Sequence, residues 1–302
     1  MNKVVRCEYE AWSIIIDCFL YEQSKDDAHL SVAKGKFKLL VEHTDWQGGL
    51  SFGTGNHKVW VGENGLAAWG ALLLYKHTSD SNFLVQAQKW LKYVLNYPPK
   101  VRVDEPRLYP VFLTWINYAL MEAVKQKIVD WKGYQQVCES NVNEILGLMK
   151  RGTHWGICYH YDLYVGRGLL YAYRFFTIDG FNQELGGKCL VALTNFMKAS
   201  RHSKVPFMNV RPIHYLFFDF RGSGYSTSQY AQLCFEMYLS YYNIDDYLEG
   251  KVALDSVKKY LMVKGGVVKR FGDRTVNGLA TDWLRYVEVL DKKCVEVALE
   301  WI

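Results

Sequence analysis

Five short clusters along this chain carry side chains able to exchange protons: Glu63-Asn64-Gly65, Asp104-Glu105-Pro106, His160-Tyr161-Asp162, Gly224-Tyr225-Ser226-Thr227 and Thr281-Asp282-Trp283. Four of the five contain a carboxylate. Taken singly, Asp104, Asp282 and Ser226 read as helix caps, because Asn, Asp, Ser and Thr accept hydrogen bonds from free N–H groups and negative charge suits the positive helix end. Taken together with Trp60, Trp155, Tyr161, Tyr225 and Trp283, the clusters read as a polar cleft with aromatic walls. Sugar rings stack on aromatic faces, and a pair of carboxyl groups can divide the acid and base roles of glycoside hydrolysis. Glu63, Glu105 and Asp162 are the acid/base candidates. Tyr161 and His160 suit abstraction of a proton next to a carboxylate, as a lyase or an epimerase requires. Trp60, Asn64, Trp155, Tyr225, Asp282 and Trp283 are expected to bind the substrate.

Residues so far apart in sequence meet only if the elements that carry them start around one place. Two kinds of helix alternate along the chain. The first is apolar nearly all round: Leu66–Tyr75, Val111–Val124, Leu163–Phe176 and Ser228–Tyr242. A helix apolar on every face must be covered on every face. The second is one-sided. In Asn82–Leu95 the residues Phe83, Ala87, Trp90, Leu91 and Val94 make a stripe, with Lys89 and Lys92 opposite. In Asp246–Met262 the stripe is Leu254, Val257 and Leu261, with Lys251, Lys258 and Lys259 opposite. Gln135–Lys150 and Gln183–Lys198 follow the same plan.

Three turns between the two kinds look alike: Tyr75–Phe83, Phe176–Phe181 and Tyr242–Tyr247, each a small polar cluster with an Asp. Repetition of a helix pair at this length marks an array of hairpins. The expected fold is all-α: inner helices near residues 8–21, 65–77, 111–124, 161–176 and 226–242, sheathed by outer ones, with Thr281–Ile302 as a sixth, incomplete element. Closed on itself this is an α/α toroid of five to six hairpins, with residues 1–302 as one domain; an open α-solenoid is the alternative. The outer-to-inner connections are long: His43–Asn64, Tyr97–Pro110, Gly152–Tyr161, Arg201–Tyr225 and Val263–Ala280. Long connections in a compact domain usually carry function. Short apolar runs within them, Lys58–Val61 and His214–Phe218, predict small β-hairpins.

The 302 residues are 50% hydrophobic, enough for a large core, and the net charge of +5 is spread along the chain. No basic run argues for nucleic acid; the most basic stretch, Lys264–Arg274, reads as a solvated loop. The seven cysteines are odd in number, form no CxxC and sit mostly in apolar helical patterns, so free buried thiols, a reducing cytoplasmic setting and no zinc site are expected. Charges at Lys3 and Arg6 come too soon for a signal peptide, and no apolar run spans a bilayer. No metal or other cofactor is expected, and the oligomeric state is left open. Gly53-Thr-Gly55 lacks the context of a phosphate loop, Gly222-Ser-Gly-Tyr-Ser226 has glycine where a nucleophile elbow needs serine, Cys158-Tyr-His160 is too sparse for metal, and Ile244-Asp-Asp-Tyr247 reads as a turn.

The run Tyr161-Asp-Leu-Tyr-Val-Gly-Arg-Gly-Leu-Leu-Tyr-Ala-Tyr173 with the Thr-Ile-Asp turn after it resembles helix pairs of the α/α-toroid carbohydrate-active enzymes: unsaturated glucuronyl hydrolases, uronate and N-acylglucosamine epimerases, and toroidal polysaccharide lyases. Tyr225-Ser-Thr-Ser-Gln-Tyr-Ala231 is similar to the Ser/Thr-rich opening of an inner helix in the unsaturated glucuronyl and rhamnogalacturonyl hydrolases. The resemblance implies an oligosaccharide or uronic-acid-containing substrate. Terpenoid cyclases of the squalene–hopene type share the architecture, but their Asp-x-Asp-Asp motif is missing and Gln47-Gly-Gly49 is a trace of their repeats. A non-enzymatic solenoid scaffold is the third alternative.

Overall fold

The protein, as a computed structural model, is described over residues 6–53, 56–59, 61–97, 108–155, 159–200, 224–260, 262–263, 266–267 and 278–299. These residues form eleven α-helices: α1 (Cys7–Ser24), α2 (Asp27–Glu42), α3 (Val61–Thr78), α4 (Ser81–Asn96), α5 (Tyr109–Lys125), α6 (Trp131–Gly147), α7 (Tyr159–Tyr173), α8 (Gln183–Ser200), α9 (Gly224–Tyr241), α10 (Ile244–Tyr260) and α11 (Gly278–Leu299). A π-helical turn, Arg174–Ile178, continues α7. Two short antiparallel hairpins complete the list: β1 (Ser51–Gly53) with β2 (Asn56–Val59), and β3 (Met262–Val263) with β4 (Gly266–Val267). Among the described residues no helix is long and apolar enough to cross a membrane.

The chain divides into two compact units, Met1–Leu148 and Met149–Ile302. In the first, α1, α3 and α5 pack in a row, and α2, α4 and α6 lie against them one for one. In the second, α7, α9 and α11 make the row, with α8 and α10 beside α7 and α9. The two expected helix kinds are thus segregated. Every residue of α3 from Val61 to Leu74 is buried, and every residue of α5 from Pro110 to Val124. In α4 the expected stripe of Phe83, Ala87, Trp90, Leu91 and Val94 is buried, joined by Tyr93, while Lys89 and Lys92 are exposed. The first row is tied together by aromatics: Trp69 of α3 stacks on Tyr118 of α5 at 4.2 Å, and Trp12 of α1 meets both rings edge-on at 6.0 and 6.4 Å.

The repeated turn has a simple cause. Each of the five hairpins passes through one residue in the left-handed conformation: Lys25, Ser79, Lys127, Gly180 and Tyr242. Four of the following helices then start on a side-chain oxygen that accepts from a free N–H: Asp26 from Ala28, Asp80 from Asn82, Asn182 from Leu185 and Asn243 from Asp245. Chain reversal plus capping is what the sequence repeats. The Asp of the motif is the cap only at Asp80; Asp179 ends the π-helical turn, and Asp245 and Asp246 belong to the first turn of α10.

Helix starts differ from expectation by several residues. Helix α3 begins at Val61, so Glu63-Asn64-Gly65 lies inside its first turn rather than before it, and Val61 is helical rather than part of a strand. Helix α6 begins at Trp131, directly after Asp130, and α10 at Ile244. Strand β2 realises the first expected hairpin as far as Val59. The second, at 214–218, lies outside the described residues.

Candidate active site

Two groups of polar residues stand at the starts of the buried helices, one in each unit. The first is built on α1 and α3. Gly62 and Gly65 let α3 begin hard against α5: a Cβ at Gly65 would lie 2.8 Å from the Ile116 backbone, and one at Gly62 would run into the Phe112 ring. That close packing buries the residues between them. Asn64 is fully buried, and its Oδ1 accepts from the Leu50 backbone N–H at 3.0 Å, which pins the end of the connection to the helix. Glu63 is 1% exposed, and neither carboxyl oxygen has a hydrogen-bond partner among the described residues.

An ionised carboxylate left so would forfeit its hydration without compensation. Burial therefore holds the Glu63 pKa well above the usual carboxylate range, and the charge of Glu8 raises it further. The N-terminal dipole of α3 works in the opposite sense, but a helix end stabilises a charge far less than desolvation penalises it. Glu8, in the first turn of α1, is itself pushed up to about 7 by burial against the pull of Arg6. The Cys7 thiol, raised to about 12 by burial and by Glu63, stays protonated and is no nucleophile. The first unit thus presents a carboxyl group held well above its usual range and, coupled to it through charge, a second pushed up to about 7. Trp60 and Glu105 lie outside the described residues.

The second group is built on α7, α9 and α11. Asp162 is fully buried in the first turn of α7. Tyr161 beside it is partly exposed, with its ring 6.1 Å from that of Tyr164. His160 and Tyr225 belong to the first turns of α7 and α9, and their side chains lie outside the description. Trp155 is buried and packs on Phe196 at 5.6 Å. Trp283 is 1% exposed, packs on Tyr164 and donates its indole N–H to Gln232 Oε1. Asp282 is part-exposed and pairs with Arg285 at 3.6 Å on the same helix.

Deeper in this group lies an ion pair absent from the expected site. Arg167 of α7 donates from Nε and Nη2 to the two carboxylate oxygens of Glu236 on α9, at 3.1 and 3.0 Å, and both residues are buried. Gln232 Nε2 donates to Glu236 Oε1 at 2.6 Å, and Tyr286 of α11 reaches the same oxygen at 3.4 Å. Burial pushes the Glu236 pKa up, but Arg167, then Arg174 and Gln232, overcome it and hold the carboxyl below its usual value. Arg174, in the π-helical turn, adds bonds to the Glu236 carbonyl and to Ser240. The signal for this pair was present in sequence: one Arg and one Glu, each inside an otherwise apolar helix, have to find each other or a ligand. Glu8 was legible too, since it opens the first inner helix in the way Glu63 opens the second. Among the described residues no group of His, Cys, Asp and Glu could hold a metal ion.

No family model matches the chain, and no curated protein matches its sequence. Solved structures do. A sugar epimerase from a ruminal bacterium is 12% identical with a TM-score of 0.73, the match covering 97% of this chain and 88% of that one. The GH76 α-mannanase of Bacteroides thetaiotaomicron is 12% identical with a TM-score of 0.69, covering 99% of this chain and 89% of that one. A glycosyl hydrolase family 88 protein from Bacteroides vulgatus is 11% identical with a TM-score of 0.70, covering 97% and 92%. At such identities the likeness is one of fold, and that fold is the α/α toroid of carbohydrate-active enzymes.

Proposed function

We propose that the protein is a carbohydrate-active enzyme that hydrolyses a glycosidic bond, with Glu63 as the proton donor. The observation that carries this reading is the state of Glu63: a buried carboxyl without a hydrogen-bond partner among the described residues, held well above the usual carboxylate range by burial and by Glu8. A general acid must hold its proton at the working pH and release it to the departing oxygen in the transition state. Glu63 would give its proton to the glycosidic oxygen as the C1–O bond breaks. Water would take the vacated position at C1, and a carboxylate would accept the proton that water loses. Glu8, titrating near 7, suits that second role. The shared fold, and the mannanase and glycosyl hydrolase among its holders, support a saccharide substrate. Likeness over 97% of the chain supports reading residues 1–302 as one domain.

A second reading, proton abstraction as in an epimerase, is favoured by the partly exposed Tyr161 beside buried Asp162 and by the fold shared with a sugar epimerase. The six described cysteines, all free and buried, support a reducing cytoplasmic location.

The test is digestion of manno-, cello- and uronate-bearing oligosaccharides by wild-type protein and by Glu63→Gln. The variant should lose about 10²–10⁴-fold in rate, the usual contribution of a positioned acid. A Glu63→Gln protein as active as wild type removes Glu63 from the chemistry. A wild-type protein inert on the whole set removes the saccharide reading.

A further inference from the structure

The second unit holds a polar side chain that nothing above uses. Gln229, on α9, is 4% exposed, and neither its amide oxygen nor its amide nitrogen has a hydrogen-bond partner among the described residues. A buried primary amide with both ends unsatisfied is rare in folded proteins, because the desolvation of donor and acceptor is uncompensated. Its neighbours on the same helix face make the contrast plain. Gln232, one turn on, is satisfied at both ends, donating to Glu236 and accepting from Trp283. Glu236, one further turn on, is held by Arg167.

The register of these contacts places Gln229. Arg167 meets the Glu236 side chain, and Arg174, further along α7, meets the Glu236 carbonyl and Ser240 one turn beyond, so α7 and α9 run parallel. Stepping back two turns from the Arg167–Glu236 contact arrives at position 160 on α7 and position 229 on α9. Likewise Trp283 meets Gln232 and Tyr286 meets Glu236, so position 229 is level with residues 279–280 of α11. Gln229 therefore sits among the starts of all three buried helices, where partly exposed Tyr161 and buried Asp162 also stand. Below it the Trp283–Gln232–Glu236–Arg167 network locks the helix face.

We propose that Gln229 is a ligand-binding residue whose amide, held ready by that network, recognises a pair of adjacent hydroxyl groups of a saccharide, accepting from one and donating to the other. A vicinal diol offers one donor and one acceptor at the spacing of an amide, and a neutral amide discriminates by hydroxyl geometry rather than by charge. The assignment rests on the protein acting on a saccharide, as proposed above.

The experiment is an array of manno-, cello- and uronate-bearing oligosaccharides probed with wild-type protein, Gln229→Leu and Gln229→Glu, with thermal unfolding of all three. Gln229→Leu should lose tenfold or more in affinity for the oligosaccharide that wild type retains, the usual loss for two missing hydrogen bonds. Its unfolding temperature should be unchanged or higher, since an unsatisfied amide is replaced by an apolar group of similar shape. Gln229→Glu, which keeps the acceptor, should recover part of the binding. Equal retention by wild type and Gln229→Leu overturns this assignment and leaves the proposed function standing. A large fall in unfolding temperature for Gln229→Leu also overturns it, because the amide is then a satisfied part of the core. Failure of wild-type protein to retain any oligosaccharide overturns the proposed function and this inference with it.

Discussion

The raised carboxyls of Glu63 and Glu8 have a consequence for stability. In the unfolded chain a glutamate ionises near 4.5, while in the fold burial keeps the proton on both groups to higher pH. Between the two values the folded protein binds more protons than the unfolded chain, so stability falls as pH rises through that window. For Glu8 the window runs from 4.5 to about 7. Glu22 shifts the other way: burial raises it, but His77 and Lys76 together overcome that and bring it down to about 2, so its contribution is lost only in stronger acid. Thermal unfolding of wild-type protein should therefore weaken from pH 5 to pH 8. Glu63→Gln, which cannot ionise, should show a flatter profile and a higher unfolding temperature than wild type at pH 8. Identical profiles would mean that Glu63 is solvated and ordinary. The sequence pointed to Glu63 because it stands where a long connection meets the start of a buried helix. It did not point to the pairing with Glu8, because proximity between two helix starts is a property of packing.

At the scale of elements, Arg167 and Glu236 join α7 to α9 across 69 residues of sequence. Removing one partner of a buried pair leaves the other charge stranded, which typically costs about 3–5 kcal/mol, whereas replacing both with apolar groups can be neutral or better. Arg167→Met and Glu236→Leu should each lower the urea midpoint strongly, and the two combined should recover most of the loss. Simple additivity of the two single effects would show that the pair is not coupled. The helices themselves were legible because amphipathic period is a local property: all five residues of the expected α4 stripe are buried, with Tyr93 added. Their starts were less so. Helix α3 gains a turn because Gly62 and Gly65 allow the approach of α5, and no local pattern announces a partner helix.

For the whole molecule, the cysteines report on folding. Cys7, Cys18, Cys138, Cys189, Cys234 and Cys294 are buried and free, and burial raises the thiol pKa at Cys7, Cys189 and Cys294 to about 12. Cys158 lies outside the described residues. Native protein should react slowly with a thiol reagent, because both access and thiolate are scarce. Protein unfolded without reductant should titrate all seven thiols present in the sequence. Five or fewer would show a disulfide and shift the expected compartment to an oxidising one.

The alternation of all-round apolar and one-sided helices, the repeated capped turn and the free thiols were determined by the sequence alone, since each depends on a residue and its near neighbours. That Glu63 and Asp162 stand near the starts of buried helices followed from the same local rules, while the turn that encloses Glu63 did not. Only tertiary structure decided which of these polar residues are stranded and which are paired. Glu63 stands without a hydrogen-bond partner among the described residues and Glu236 with four donors, although each is a single acid in an apolar helix. The difference lies in what neighbouring helices bring to the same level: burial raises both carboxyls, Glu8 adds to the rise at Glu63, and Arg167 overcomes it at Glu236.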